Sequence, residues 1–150
     1  MIATLGARGS AEERSVIFFR NVKRALGISS TQAMVRLVSK VLTHVCRNLN
    51  KQQATALVNR LPGIFQPLLF KDVTFPSQQV PLTHLDELVE SIYEDDRNSE
   101  HPQFSTEVQA LDAVVVILRK LDKYLNIFSY NILNPRWVEG LRRIPLEDAA

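Results

Sequence analysis

Cysteine and glycine are scarce in this chain, and each scarcity excludes a class of functional site. The single cysteine, Cys46, excludes an internal disulfide framework and a zinc site built only from thiolates. The five glycines form neither of the two common phosphate-binding loops. The longest apolar run, from Ala113 to Leu118, is far shorter than the roughly 18 residues that indicate a membrane span.

The remaining composition is typical of a soluble globular protein. The chain has 150 residues, of which 45% are hydrophobic and 23% are charged. Residues 1–12 lack a basic start followed by an apolar stretch, which argues against a secretory signal. We therefore expect a cytoplasmic protein with one domain, or with two small halves that share a core.

Apolar residues recur with helical spacing along most of the chain, and residues typical of helix caps separate the stripes. The first helix should follow the capping box at Ser10 and end near Gly27. We expect its inner face to carry Val16, Ile17, Phe19, Val22 and Leu26. Together these patterns predict an all-α fold. The other predicted helices cover residues 31–49, 51–60, 63–70, 84–95, 106–124 and 135–144.

The two halves of the chain have similar patterns of apolar residues. Val41-Leu42 corresponds to Ile117-Leu118, and the Leu61-Pro62 step corresponds to Asn134-Pro135. The pattern predicts two pseudo-repeated helical units packed as one bundle-like globule. The expected organisation is a flexible N-terminus over 1–12, a first repeat over 13–70, a linker over 71–82, a second repeat over 83–145 and a tail over 146–150.

The first unit resembles a known bacterial family. The residues that carry the resemblance are Ala33, Val41-Leu42, Val45, Leu49, Ala54, Leu57, Leu61-Pro62 and Phe65. This pattern is similar to the "domain of unknown function 2267" family, in which a helical unit is duplicated. The resemblance spans roughly residues 16 to 144, and the chain departs from it where Asn134 replaces the leucine before Pro135. It implies an all-helical fold and brings no catalytic residues.

Charge is distributed unevenly between the halves. Residues 1–75 contain 11 Lys or Arg and 3 Asp or Glu, a net charge of +8, whereas residues 76–150 contain 7 and 13, a net charge of −6. We expect the opposite charges to meet either within one chain or between chains, head to tail. The candidate basic interaction surface consists of Arg14, Arg20, Lys23, Arg24, Arg36, Lys40 and Arg47. The candidate acidic interaction surface consists of Asp86, Glu87, Glu90, Glu94, Asp95 and Asp96.

Catalytic and metal-binding patterns are weak. His44 has no acid or nucleophile at a fixed spacing, so we interpret it as a surface or boundary histidine. Cys46 lies on an apolar stripe, which indicates a buried and inert thiol. His84 with Glu87 could supply two metal ligands, a spacing that is common by chance. We therefore expect no enzyme activity, no cofactor and no metal.

The leading hypothesis is a non-catalytic helical module for protein interaction or assembly, with a protein partner or a second copy as its ligand. The alternative is a weak, sequence-tolerant nucleic-acid binder that uses the basic first half. No aromatic residues are interleaved with the basic ones as in a base-stacking platform. The basic first helix could also lie on an anionic membrane or in a partner's groove, although packing inside its own domain is the simpler interpretation.

Overall fold

The structure is a computed structural model that describes residues 15–61, 84–128 and 132–144. Within these ranges all regular secondary structure is helical, which confirms the predicted all-α class. The predicted N-terminus, the helix over 63–70, the linker and the C-terminal tail lie outside the described residues. The helices are α1 (residues 15–25), α2 (Thr31–Arg47), α3 (Lys51–Arg60), α4 (Leu85–Arg97), α5 (Glu107–Leu125) and α6 (Pro135–Arg143).

The helices begin where short polar side chains can accept hydrogen bonds from free backbone amides. The side-chain oxygens of Ser30, Asn50, Thr106 and Asn134 each accept from an amide in the first turn that follows. At Asn50 the cap is reciprocal, because the Gln53 side chain also accepts from the Asn50 amide at 3.2 Å. These local bonds explain why the predicted and observed helix starts nearly coincide.

The core is built around α2, α4 and α5. Helix α2 packs against α3, α4 and α5, and α4 also packs against α5 and α6. Helix α1 contacts the C-terminal end of α5, where the Ser15 and Tyr124 hydroxyls lie 2.8 Å apart and Phe18 stacks on the Tyr124 ring. Residues from both halves are thus buried in one apolar cluster, which includes Trp137 of α6.

The predicted inner face of α1 is wrong at two positions. Val16 and Ile17 are 54% and 47% exposed, whereas Ser15, Phe18 and Val22 are buried. The apolar residues at the start of α1 occupy more of the helix circumference than the one side that packs against the core. Tertiary contact with Tyr124 selects the stripe that contains Phe18 and leaves Val16 and Ile17 outside.

The predicted duplication remains a prediction. The aligned residues Val41, Leu42 and Val45 are buried in α2, and their counterparts Ile117, Leu118 and Leu121 are buried in α5. Each half therefore has a helix followed by a longer helix. The short helix α3 has no helical counterpart among the described residues between α5 and α6.

Candidate interaction surface

The basic and acidic halves of the chain meet between α2 and α4. Lys40 and His44 lie one turn apart on α2, and they face two consecutive aspartates near the end of α4. Lys40 Nζ lies 2.5 Å from Asp96 Oδ1, and His44 Nε2 lies 3.1 Å from Asp95 Oδ2. We call these four residues the α2–α4 clasp. It shows that part of the charge asymmetry is used inside one chain.

Asp96 is the structural centre of this clasp. Its side chain is fully buried, and it accepts hydrogen bonds from the backbone amides of Gln103 and Phe104, each at 2.9 Å. The same carboxylate therefore balances Lys40 and holds the loop that connects α4 to α5. A buried carboxylate with these partners is fully satisfied, as buried charges in folded proteins generally are.

Lys40 has further acceptors on the same loop. Its ammonium group donates to Ser99 Oγ at 3.1 Å and to the His101 carbonyl at 3.3 Å. Because its donors are used inside the fold, Lys40 does not belong to a free basic surface. For the same reason Asp96, which is buried, does not belong to the predicted acidic surface.

The other predicted basic residues have different exposures. Arg20, Arg24 and Arg36 are exposed, and Arg47 is half-buried at the end of α2. Lys23 is half-buried and donates to Thr31 Oγ1 at 3.0 Å, a bond that links α1 to the start of α2. Arg14 lies outside the described residues.

The exposed side of α1 combines apolar and basic residues. Val16, Ile17, Arg20 and Arg24 are all exposed, and the helical repeat places them together opposite the buried Phe18. We call these four residues the α1 outer face. Within the described part of the chain, neither arginine forms an ion pair with an acidic side chain.

The aromatic residues of α1 lie on its other sides. Phe18 is buried against Tyr124, and Phe19 packs edge-on against Phe18. The α1 outer face therefore offers arginines beside aliphatic side chains and no aromatic ring on which a base could stack.

The remaining predicted acidic residues lie on the exposed side of α4. Asp86, Glu90 and Glu94 recur every four residues and form one stripe, and all three are exposed. Glu87 lies beside them, and its Oε1 accepts from the His84 amide at 2.9 Å as part of the N-terminal cap. We call these four residues the α4 acidic face. Among the described residues, no Lys or Arg forms an ion pair with Asp86, Glu90 or Glu94.

The sequence did not reveal the acid partner of His44, because the two residues are 51 positions apart. The His44 ring is largely buried, and Asp95 remains mostly exposed.

Burial raises the pKa of the Cys46 thiol to about 12, which keeps the thiol protonated at neutral pH. Among the described residues, no three His, Cys, Asp or Glu side chains lie together as metal ligands.

A half-open groove of about 640 Å³ borders α1 on the side of α5. Its walls include Leu26, Ile28, Phe104 and Val116, and Arg119 lies among them. The Arg119 guanidinium donates to the Leu141 and Ile144 carbonyls at the end of α6. Arg119 therefore has a structural role in capping α6 and holding it against α5.

Comparison of the chain with protein-family models, curated proteins and solved structures finds no match. The resemblance to the "domain of unknown function 2267" family therefore remains a prediction. No helix within the described ranges combines the length and the apolar character needed to cross a membrane.

Proposed function

We propose that this protein is a non-catalytic interaction module that binds protein partners through charged helix faces. The observation that carries the proposal is that some charged residues pair inside the fold, whereas others remain exposed on two helices. The clasp uses Lys40, His44, Asp95 and Asp96 inside the fold. The α1 outer face and the α4 acidic face remain exposed, with opposite signs on different helices.

The chemistry of the described residues supports a binding role over a catalytic one. Cys46 is buried, and its raised pKa disfavours the thiolate that nucleophilic catalysis requires. The acid that faces His44 is Asp95, and the ring nitrogen in this contact is Nε2. We place the protein in the cytoplasm, where a free thiol such as Cys46 stays reduced.

A pull-down with charge-reversed variants tests the proposal. The wild-type chain should retain protein partners at low salt. Reversing the α1 outer face with Arg20→Glu/Arg24→Glu, or the α4 acidic face with Glu90→Lys/Glu94→Lys, should release at least one of them. High salt should also release partners held by exposed charges.

The proposal fails if every protein that the wild-type chain retains, including a second copy of itself, is retained equally by both reversed variants. Far-ultraviolet circular dichroism should show the same helical content in all three proteins. That control separates a lost surface from a lost fold, because all four substituted side chains are exposed.

A further inference from the structure

The α1 outer face requires a partner with two kinds of surface. Val16 and Ile17 lie at the N-terminal end of the described part of α1, and each is about half exposed. Arg20 and Arg24 follow one and two turns later on the same side. A complementary surface therefore needs carboxylates at one end and, at the other end, a surface on which aliphatic side chains can pack.

The exposed side of α4 meets both requirements. Glu90 and Glu94 have the same four-residue spacing as Arg20 and Arg24, which corresponds to about 6 Å along each helix axis. Beyond Glu94, Arg97 lies over the Tyr93 ring, with its guanidinium carbon 5.5 Å from the ring centroid. This stacked pair ends the acidic stripe with a flat surface suited to aliphatic side chains.

We propose that the α1 outer face of one copy binds the α4 acidic face of a second copy, with the two helices antiparallel. This inference rests on the proposed function and names the partner as the same chain. In the antiparallel register, Arg24 faces Glu90, and Arg20 faces Glu94. Ile17 then faces Arg97.

The direction of the helices follows from the position of Arg97. If the helices ran parallel, Arg24 would approach the end of α4 that carries Arg97, and two like charges would repel. In the antiparallel arrangement Arg97 meets the uncharged Val16 and Ile17 instead. Antiparallel helices also bring the positive dipole end of each next to the negative end of the other.

The contact joins two different faces, so it is heterologous. In each pair, the first copy still has an unoccupied α4 acidic face, and the second copy still has an unoccupied α1 outer face. Such contacts close into a ring or continue into a chain of subunits. The assembly should therefore grow with protein concentration and shorten as salt screens the exposed charges.

Sedimentation velocity with charge-swapped variants tests this pairing. The wild-type protein should form oligomers at low salt. Arg20→Glu/Arg24→Glu alone, and Glu90→Lys/Glu94→Lys alone, should each weaken self-association by about tenfold or more, because every contact then opposes like charges. An equimolar mixture of the two variants should assemble again. In that mixture the reversed α1 meets the reversed α4, and the native α1 meets the native α4.

Matched controls reverse exposed charges outside the two faces. Arg136→Glu on α6 matches the arginine reversals, and Glu100→Lys in the loop after α4 matches the glutamate reversals. Each control changes the net charge by the same amount and in the same direction as one substitution of the variant that it matches. Both controls should assemble as the wild-type protein does. Ile17→Lys should weaken assembly although it leaves every arginine in place, because it puts a second positive charge opposite Arg97.

Monomeric wild-type protein at every salt and protein concentration would overturn the inference. If the reversed variants then still release a different protein in the pull-down, the proposed function stands and only its partner changes. If no protein depends on either face, both fail. Binding of the monomer to anionic vesicles or to duplex DNA, lost in Arg20→Glu/Arg24→Glu, would assign the α1 outer face to those ligands and also overturn the inference.

Discussion

Asp95 and Asp96 are neighbours in sequence, but their environments differ sharply. The Asp95 side chain is 59% exposed and contacts one ring nitrogen of His44. The Asp96 side chain is fully buried and accepts from Lys40, Gln103 and Phe104. Consecutive side chains of a helix point in different directions, so Asp96 lies on the side of α4 that packs against the core and Asp95 lies at the edge of that side.

Replacing each aspartate by asparagine should therefore have unequal effects on stability. Asp96→Asn should lower the free energy of unfolding by about 2–3 kcal/mol, because it leaves the Lys40 charge uncompensated and weakens the acceptor of two loop amides. Asp95→Asn should cost less than about 1 kcal/mol, because its pair is screened by water. Urea unfolding followed by circular dichroism measures both, and equal losses would contradict the role given to Asp96.

The thiol of Cys46 gives a second prediction at the residue scale. Its pKa rises from 9.0 to about 12 on burial, so above pH 9.0 the unfolded chain releases this proton while the folded chain retains it. The free energy of unfolding should then fall as the pH rises towards about 12, and this contribution should be constant below 9.0. The wild type should lose more stability over this range than Cys46→Ala, whose other titrating groups are the same. Parallel stability–pH curves for the two proteins would contradict the burial of the Cys46 thiol.

At the scale of the helix, the end of α1 depends on one backbone conformation. Gly27 has a φ of +66°, and the Ile28 amide donates to the Lys23 carbonyl at 2.9 Å. This is the geometry of a glycine-terminated helix with a residue in the left-handed region. The turn directs the chain from α1 into α2 and so fixes where the α1 outer face lies.

Gly27→Ala should destabilise the protein by about 1–2 kcal/mol, because a Cβ atom is disfavoured at positive φ although open space surrounds it here. Asn126, which ends α5 with a φ of 61°, provides the comparison. Asn126→Gly should change stability little, or raise it slightly, since glycine adopts this conformation without strain. Thermal unfolding of both variants checks the pair. A Gly27→Ala protein as stable as the wild type would show that α1 ends differently.

The helix boundaries were predictable from sequence because their causes are local. Ser30 and Asn50 lie at helix starts, and their side chains bond to amides three residues away. The side of α1 that faces the core was not predictable, because Phe18 and Ile17 are equally apolar and Tyr124 is distant in sequence. The clasp was missed for the same reason, since Lys40 and Asp96 are 56 residues apart. The sequence therefore predicted the charged faces as groups and could not separate their exposed members from their buried ones.

At the scale of the molecule, residues from both halves contribute to one apolar cluster. Leu42 on α2 and Trp137 on α6 are both fully buried in it. Helix α4 connects them, because it packs against α2 on one side and contacts α6 as well. Since the buried apolar residues of both halves form one cluster, we expect the two halves to unfold in one cooperative transition.

Leu42→Ala tests this coupling, because it makes a cavity in the first half and Trp137, the only tryptophan, reports on the second. The substitution should lower the free energy of unfolding by about 2–5 kcal/mol. Tryptophan fluorescence and circular dichroism should show the same shift in urea midpoint, since the loss of α2 packing also removes support from α4. Val108→Ala is the control, because Val108 is 66% exposed and its truncation should leave both midpoints unchanged. A Trp137 transition that stays at its wild-type midpoint in Leu42→Ala would show two independently folding halves, and the α1 and α4 faces would then lie on separate bodies.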